Sequence, residues 1–473
     1  MKSQTSGLLP CLGVLLASLS ETGAAIDGQP TDTVGFVGLA TQGPMETPTL
    51  VTSQAEFERL FGGYDAALPN PFLAPSVAAF FSNDGRRAYV VRVADASDAA
   101  FVGGVDATGQ RTGLQALGEI DPVSIVCIPG VTSRAVQEAM IAHCEAAGDR
   151  IAVLDPDEPA DVPAVLAQRE RLRSERGYAA LYYPWIVARL PGIDAVLLPP
   201  SGFVAGVYAR TDLERGVWKA PAGDVAGALD ASRALSATDQ DALNLAGVSV
   251  IRSFPGLPVQ LWGVRTIASD PEWKYVNVRR FLIFLEESIN KGTEWAVFEP
   301  NDEGLWSRLR GDIENFLVFR WREGGLLGAT SDDAFFVRVD RSSMTQDDID
   351  RGRTVILVGV AVLQPAEFVI FRVVKERATP VRFRRGDSNG DGVVDISDAI
   401  GLLGFLFLGD DAPPCPDAAD AVDEGEPSIS AAIFILSFLF QGGRPMPQPF
   451  PDCGEDPSGD ALGECEDPAG VCR

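Results

Sequence analysis

Between residues 122 and 183 short apolar runs alternate with helix-like stretches, and nothing else in the chain constrains its fold as tightly. Residues 123–128 are short and apolar, 134–147 carry helical spacing, 151–154 are apolar again, 162–173 read as a helix and 178–183 as a strand. A strand repeats every two residues and a helix every 3.6, so each change of period marks a new element. Strand–helix–strand units at this spacing imply crossovers, hence a mostly parallel sheet with helices packed on it. The expected class is α/β, grading into mixed α+β, with mixed sheets flanked by helices. A length of 473 residues exceeds one ordinary core, so several domains are expected.

The flanking segments follow the same logic. Val34-Gly35-Phe36-Val37-Gly38-Leu39-Ala40 reads as a strand ended by Gly43-Pro44. Ser53-Gln54-Ala55-Glu56 has the form of a capping box, with Ser53 accepting from an orphan helix N–H and Glu56 reaching back. The helix it opens stops at Gly62-Gly63. A second helix, 72–81, leads through Asn83-Asp84-Gly85 into a strand at 88–93. Downstream, 248–253 and 259–267 read as strands. Residues 275–290 form an amphipathic helix with Phe281, Leu285 and Ile289 on one face, and 302–322 a second helix. Two strands, 355–362 and 368–374, close this part.

Charge excludes one class of partner. With 66 Asp and Glu against 39 Lys and Arg the formal charge is −27, so phosphate is repelled and no nucleic-acid binding is expected. From Gly386 onward 18 acidic residues face only Arg444 and Arg473, which marks a separate module. The cysteines divide likewise. Cys127 and Cys144 sit in apolar runs as small hydrophobes, whereas Cys415, Cys453, Cys465 and Cys472 crowd the acidic tail and allow three disulfide pairings in an oxidising compartment. Near the start, Lys2, an apolar stretch at 8–19 and Thr22-Gly23-Ala24-Ala25 outline either a secretory signal or a buried N-terminal segment. That stretch is too short to cross a bilayer and no other window qualifies, so no membrane span is expected.

Several strings together resemble the contractile tail sheath family of phages and related injection machines. They are Gly35-Phe36-Val37-Gly38, Phe57-Glu58-Arg59-Leu60-Phe61-Gly62-Gly63, Gly85-Arg86-Arg87-Ala88-Tyr89-Val90-Val91-Arg92-Val93, Pro199-Pro200-Ser201-Gly202, Gly216-Val217-Trp218-Lys219-Ala220-Pro221-Ala222, Trp262-Gly263-Val264-Arg265-Thr266, Tyr275-Val276-Asn277-Val278-Arg279-Arg280 and Met344-Thr345-Gln346-Asp347-Asp348. They run in the family's order from about residue 34 to 376. The resemblance implies a structural subunit that stacks with itself as hexameric rings around an inner tube protein, linked by terminal arms that add strands to neighbouring sheets. Contraction would then be rigid-body rotation within a lattice. It also implies assembly in the cytoplasm as part of a phage or phage-tail-like particle, with secretion through the N-terminal segment as the alternative. Residues 368–374 stand where the family has its C-terminal arm strand, although an ordinary edge strand fits equally. The stretch 8–19 does not resemble the family's N-terminal arm. Arg279, Arg280, Arg308, Arg310, Arg320 and Arg322 either meet acidic faces of neighbours or of the tube, or lie on solvated helix faces.

The acidic tail carries the most specific chemistry. In Asp387-Ser388-Asn389-Gly390-Asp391-Gly392-Val393-Val394-Asp395-Ile396-Ser397-Asp398, side-chain oxygens fall at loop positions 1, 3, 5, 9 and 12 (Asp387, Asn389, Asp391, Asp395 and Asp398). Gly392 stands at position 6 for the tight turn, and Val393 offers its carbonyl at 7, the spacing calcium requires. This EF-hand-like loop resembles dockerin repeats. A second copy lies 33 residues on, where Ala399-Ile400 and Phe405-Leu406-Phe407 recur as Ala432-Ile433 and Phe438-Leu439-Phe440. Its loop keeps Asp420 and Glu424 at positions 1 and 5 but has Val422 at 3, Ala431 at 12 and a stiffening Pro427, so one calcium site is expected. The two repeat helices are apolar nearly all round and must pack on each other or on a partner protein.

These readings divide the chain into 1–33 (N-terminal segment), 34–95, 96–240 and 241–376 (three sheath-like parts), 377–386 (linker), 387–443 (dockerin-like repeats) and 444–473 (cysteine-containing acidic tail). No P-loop, dinucleotide fingerprint, nucleophile elbow or zinc spacing occurs, and the single histidine, His143, lies within a helix. Asp155 and Asp157 at a strand end have no evident catalytic partner. A structural subunit rather than an enzyme is expected. The alternative is a secreted or cell-surface scaffold acting through the dockerin-like module.

Overall fold

In the computed structural model, residues 25–105, 109–363, 369–375 and 382–454 are described, with Cys472. The apolar stretch 8–19 and the first residue of the 368–374 strand lie outside them. The chain divides into two compact units between residues 376 and 377.

The first unit is built on a nine-stranded sheet. Its strands are β1 (Thr33–Gly38), β2 (Thr49–Val51), β3 (Arg87–Arg92), β4 (Ile125–Cys127), β5 (Ile151–Leu154) and β6 (Ala179–Tyr183), joined after a separate hairpin by three later strands. The hairpin is β7 (Ile186–Leu190) and β8 (Ile193–Leu198); next along the chain come β9 (Gly223–Asp224), β10 (Ala228–Ala231), β11 (Val248–Arg252) and β12 (Gln260–Leu261). The strand order is β2-β3-β1-β4-β5-β6-β11-β12-β9. From β3 through β11 every pairing is parallel, and antiparallel strands occupy both edges. The alternation between 122 and 183 thus produces the parallel centre it predicts.

Burial on both faces explains why these strands read as unbroken apolar runs. Ile125, Cys127, Ile151, Val153, Ala180 and Tyr182 face the helices Leu73–Ser82 and Ser201–Arg215. Their neighbours Val126, Ala152, Leu154, Ala179 and Leu181 face the helix Arg134–Ala147. That helix starts where Ser133 Oγ accepts from Val136 N and stops at Gly148 in the left-handed region. On the opposite face Gly202 and Gly206 let two helices touch: a Cβ at Gly202 would overlap the backbone of Ser76.

Two local readings are corrected, and one hairpin is added. Ser53 Oγ does accept from Glu56 N, at 3.2 Å, but the Glu56 carboxylate turns to Thr52, accepting from its N–H at 2.8 Å and its hydroxyl at 2.9 Å. The apolar stretch 259–267 yields only the two-residue β12. Past it, Arg265 N donates to Ser249 Oγ at 2.7 Å and the Ser249 hydroxyl to the Arg265 carbonyl at 3.2 Å, so a side chain stands where the main-chain ladder would continue. The β7–β8 hairpin, turning at Pro191-Gly192, pairs with β10 in a second antiparallel sheet that the sequence reading did not identify.

A third sheet, order β13-β14-β15, comprises β13 (Phe335–Arg338), β14 (Thr354–Val360) and β15 (Val369–Lys375). Helices Val276–Gly292 and Glu303–Arg322 pack with it, bringing Phe281, Leu285 and Ile289 together with Leu309, Ile313, Phe316, Ile356 and Val358. In the second unit the helices Ile396–Leu408 and Ile429–Gln441 meet through Ala399, Leu402, Ala432 and Ile435. Cys453 is bonded to Cys472 and Cys415 is also disulfide-bonded, whereas Cys127 and Cys144 are free and buried. Among the described residues no helix is long and apolar enough to cross a membrane.

Candidate functional site

Two places carry functional candidates in this chain: the edge of the third sheet and the acidic loop of the second unit. At the edge, β15 pairs antiparallel with β14 over its whole length, from Thr354↔Lys375 to Val360↔Val369. Among the described residues it has no neighbour on its other side, so it presents a row of main-chain donors and acceptors. β14 is buried except at Leu357, so it is covered on both faces as the middle strand of this sheet.

The six arginines singled out in the sequence mostly find partners within the chain. Arg280 and Asp212 form a buried two-point ion pair at 3.0 and 2.5 Å. Arg280 also donates to the Thr31 carbonyl at 2.8 Å and lies over the Tyr208 ring. Burial pushes the Asp212 carboxyl up while Arg280 draws it back down. Arg279 is sandwiched between Tyr178 and Trp273, 4.5 Å from each ring, and pairs with Glu286 at 3.2 Å. Arg308 pairs with Glu299, Arg310 with Asp340, and Arg320 with Glu323. The buried Arg279 and Arg280 brace the fold, a use that sequence spacing cannot show because Thr31, Asp212 and Arg280 are far apart in the chain. The Arg280 pair belongs to a clasp on the first described residues: Gln29 N donates to Ser288 Oγ at 3.0 Å and Lys291 reaches Gln29 Oε1 at 3.4 Å.

Of the residues weighed for catalysis, His143 and Asp155 lie in the interior. His143 is buried, and burial, helped by the Arg150 charge, pushes it down to about 4. Asp155 is buried at the end of β5, where it accepts from Gly130 N at 2.9 Å, Ser201 N at 2.8 Å and Ser201 Oγ at 2.8 Å. It thereby ties the start of the helix Ser201–Arg215 to the sheet. Burial outweighs those donors and raises its carboxyl to about 6.

In the acidic loop, Asp387 is buried. Its Oδ2 accepts from Gly392 N at 2.9 Å, and its Oδ1 has no hydrogen-bond partner. Asn389 Oδ1 accepts from Asp391 N and Asp391 Oδ1 from Val393 N, each at 2.9 Å, so successive side chains close turns on the backbone two residues ahead. Gly390 and Gly392, at φ 72° and 89°, supply the left-handed turns. Asp398 is fully buried and accepts from Asp395 N at 2.8 Å and Asn389 N at 3.1 Å. Burial, with Asp387 and Asp391 close by, raises it to about 6. Asp395 caps the helix Ile396–Leu408, accepting from Ser397 N at 2.7 Å. The fold therefore gathers Asp387, Asn389 and Asp398, while Asp391, Val393 and Asp395 lie at the exposed rim. Among the described residues no three Asp, Glu, His or Cys side chains stand close enough to hold a metal.

The repeat helices also leave matched apolar stripes uncovered. Ile396, Ile400 and Phe407 are exposed on one helix, and Ile429, Ile433 and Phe440, each 33 residues later, on the other.

Comparison with known proteins settles what the first unit is. The family "Phage tail sheath protein central domain" matches residues 102–267, and "Phage tail sheath C-terminal domain" matches 268–375. The two run end to end over more than half of the chain. The chain belongs to the phage tail sheath family. Its fold is a mixed α/β fold similar to contractile sheath structures, and it is a structural subunit of a contractile tail sheath, of a phage or a phage-like injection system. The PVC sheath complex of an extracellular contractile injection system, in its contracted state, superposes with a TM-score of 0.63 at 28% identity, covering 78% of this chain and 98% of that one. The contracted helical sheath of the anti-feeding prophage gives 0.62 at 29%, covering 77% and 99%. The tail sheath protein of Burkholderia phage BcepMu is 29% identical over 262 residues, 49% of this chain and 53% of its own length.

Proposed function

We propose that copies of this sheath subunit polymerise as stacked hexameric rings around an inner tube protein, and that contraction repacks this lattice without any reaction pocket. The observation that carries the reading is the open edge of the third sheet. There, among the described residues, β15 is held by main-chain bonds on one side, which leaves its other side for a neighbour's strand. Main-chain links of this kind survive rotation of the subunits as rigid bodies. Assembly takes place in the cytoplasm as part of a phage or phage-tail-like particle, and the chain catalyses nothing. The test is electron microscopy of the concentrated chain, alone and with its tube protein, beside a variant lacking residues 369–375. Striated tubes from the intact chain and none from the variant support the reading; only discrete particles from folded intact protein refute it.

We further propose that the second unit is a dockerin-like appendage holding one calcium ion at Asp387, Asn389, Asp391, Val393, Asp395 and Asp398. Asp387 Oδ1, buried without a hydrogen-bond partner, favours this, because such an oxygen is costly unless a cation meets it. The ion would supply charge to a loop whose four carboxylates have, among the described residues, no Lys or Arg partner. The matched apolar stripes favour a protein partner for this unit, the alternative role being a scaffold outside the cell. Calcium titration of the full chain tests the metal reading, with no uptake as the refuting result.

A further inference from the structure

The two loops of the second unit share a backbone design but balance their charge differently. Asp420 Oδ2 accepts from Gly425 N at 2.7 Å, as Asp387 Oδ2 does from Gly392 N. Asp423 and Gly425, at φ 63° and 86°, repeat the left-handed turns of Gly390 and Gly392. Asp tolerates that conformation better than most residues with a Cβ, though less freely than glycine, so a partner adds to its hold. That partner is Arg385, whose side chain is fully buried. Its guanidinium donates to the Asp420 carbonyl at 2.8 Å, pairs with Asp423 Oδ1 at 3.0 Å and donates through Nε to the Gln448 carbonyl at 2.9 Å. The next residue extends the link, with Gly386 N donating to Ala418 O at 2.7 Å. No comparable cation serves the first loop: Arg384 donates to the Gly392 carbonyl but pairs, among the described residues, with none of its carboxylates.

We propose that Arg385 is the built-in cation of the second loop, so that this loop folds without metal and the module takes calcium at the first loop alone. This rests on the calcium reading given above. A guanidinium is planar, permanently charged and suited to buried multi-point contacts, so it can fix a carbonyl and a carboxylate at once. Asp420 Oδ1, like Asp387 Oδ1, makes no hydrogen bond, and with the Glu424 side chain it is what the second loop keeps for a metal. It is not enough. Calcium wants six to eight oxygens, positions 3 and 12 hold Val422 and Ala431, and Asp423 is engaged with Arg385.

Equilibrium dialysis of the full chain against radioactive calcium reads the stoichiometry. The expected result is one calcium per chain, lost in Asp387→Asn and kept in Asp420→Asn. No calcium in the unaltered chain overturns the metal reading itself. Two calciums, or one that disappears with Asp420→Asn, overturns the role of Arg385 and leaves the metal reading standing. Hydrogen exchange adds a readout that does not depend on counting ions. In chelator the Gly392 amide loses protection while the Gly425 amide keeps it. In Arg385→Gln with calcium present, protection over 420–425 falls by roughly tenfold or more, as expected on losing hydrogen bonds to a charged group. Equal loss at both loops in chelator overturns the proposal, even if Arg385→Gln fails to fold.

Discussion

Asp212→Ala isolates the buried charge at the heart of the first unit. The Arg280 and Asp212 side chains are 3% and 4% exposed, so neither can fall back on water. Removing Asp212 leaves Arg280 with the Thr31 carbonyl and the Tyr208 ring, and a buried charge deprived of its partner costs about 3–5 kcal/mol. At an unfolding entropy of roughly 2.1 cal/mol/K per residue, a unit of about 350 residues shifts by about 1.4 °C per kcal/mol, so Tm should fall by about 4–7 °C. Differential scanning calorimetry measures this. The pair Asp212→Leu with Arg280→Met tests the cause, because removing both charges spares the orphaned one and should recover much of the loss. A drop below about 1 °C for Asp212→Ala, or a double variant no better than the single, refutes the reasoning.

Further outcomes are expected. His143 titrates near 4 when folded and near 6.5 when unfolded, so its contribution is complete above pH 6.5 and is lost as pH falls through 4. His143→Gln should remove about 3 kcal/mol of that acid sensitivity in denaturation measured across this window. Asp155 acts in the opposite sense, its folded value of about 6 lying above the ordinary 3.8, but it is common to both proteins and cancels in the difference. Asp155→Ala should cost about 3 kcal/mol or more by urea denaturation, because Gly130 N, Ser201 N and the Ser201 hydroxyl all lose their acceptor. Calcium at a hundredfold its Kd should stabilise the second unit by about 2.7 kcal/mol in a thermal melt, with no such shift in Asp387→Asn.

The sequence made the sheet legible because period and burial coincide there. The helix Arg134–Ala147 and the strand Ile151–Leu154 fall where spacing places them, since every residue of β5 is buried and both its faces are apolar. Legibility failed where tertiary contacts decide. The 259–267 stretch has strand composition, but the strand stops after two residues and the Ser249 hydroxyl takes the Arg265 backbone beyond it. Pro191-Gly192 between two apolar runs was a usable hairpin signal for β7 and β8. The arginines were visible as a set, but nothing local to Arg280 points to Asp212 or Thr31. In the acidic loop the spacing picks out candidate oxygens, whereas the helix-capping duty of Asp395 and the bonds of Asp398 to Asn389 and Asp395 became apparent only in three dimensions.

The seating of β1 between β3 and β4, parallel to both, has a mechanical consequence. Tension applied at Ile26 along the strand strains all of its main-chain bonds together, in shear, instead of peeling them one at a time. The Thr31–Arg280 link hands part of that load to the helix Val276–Gly292 before it reaches the sheet. A pull on this end therefore meets a stiff anchor, and the force travels into the body of the subunit rather than unravelling it.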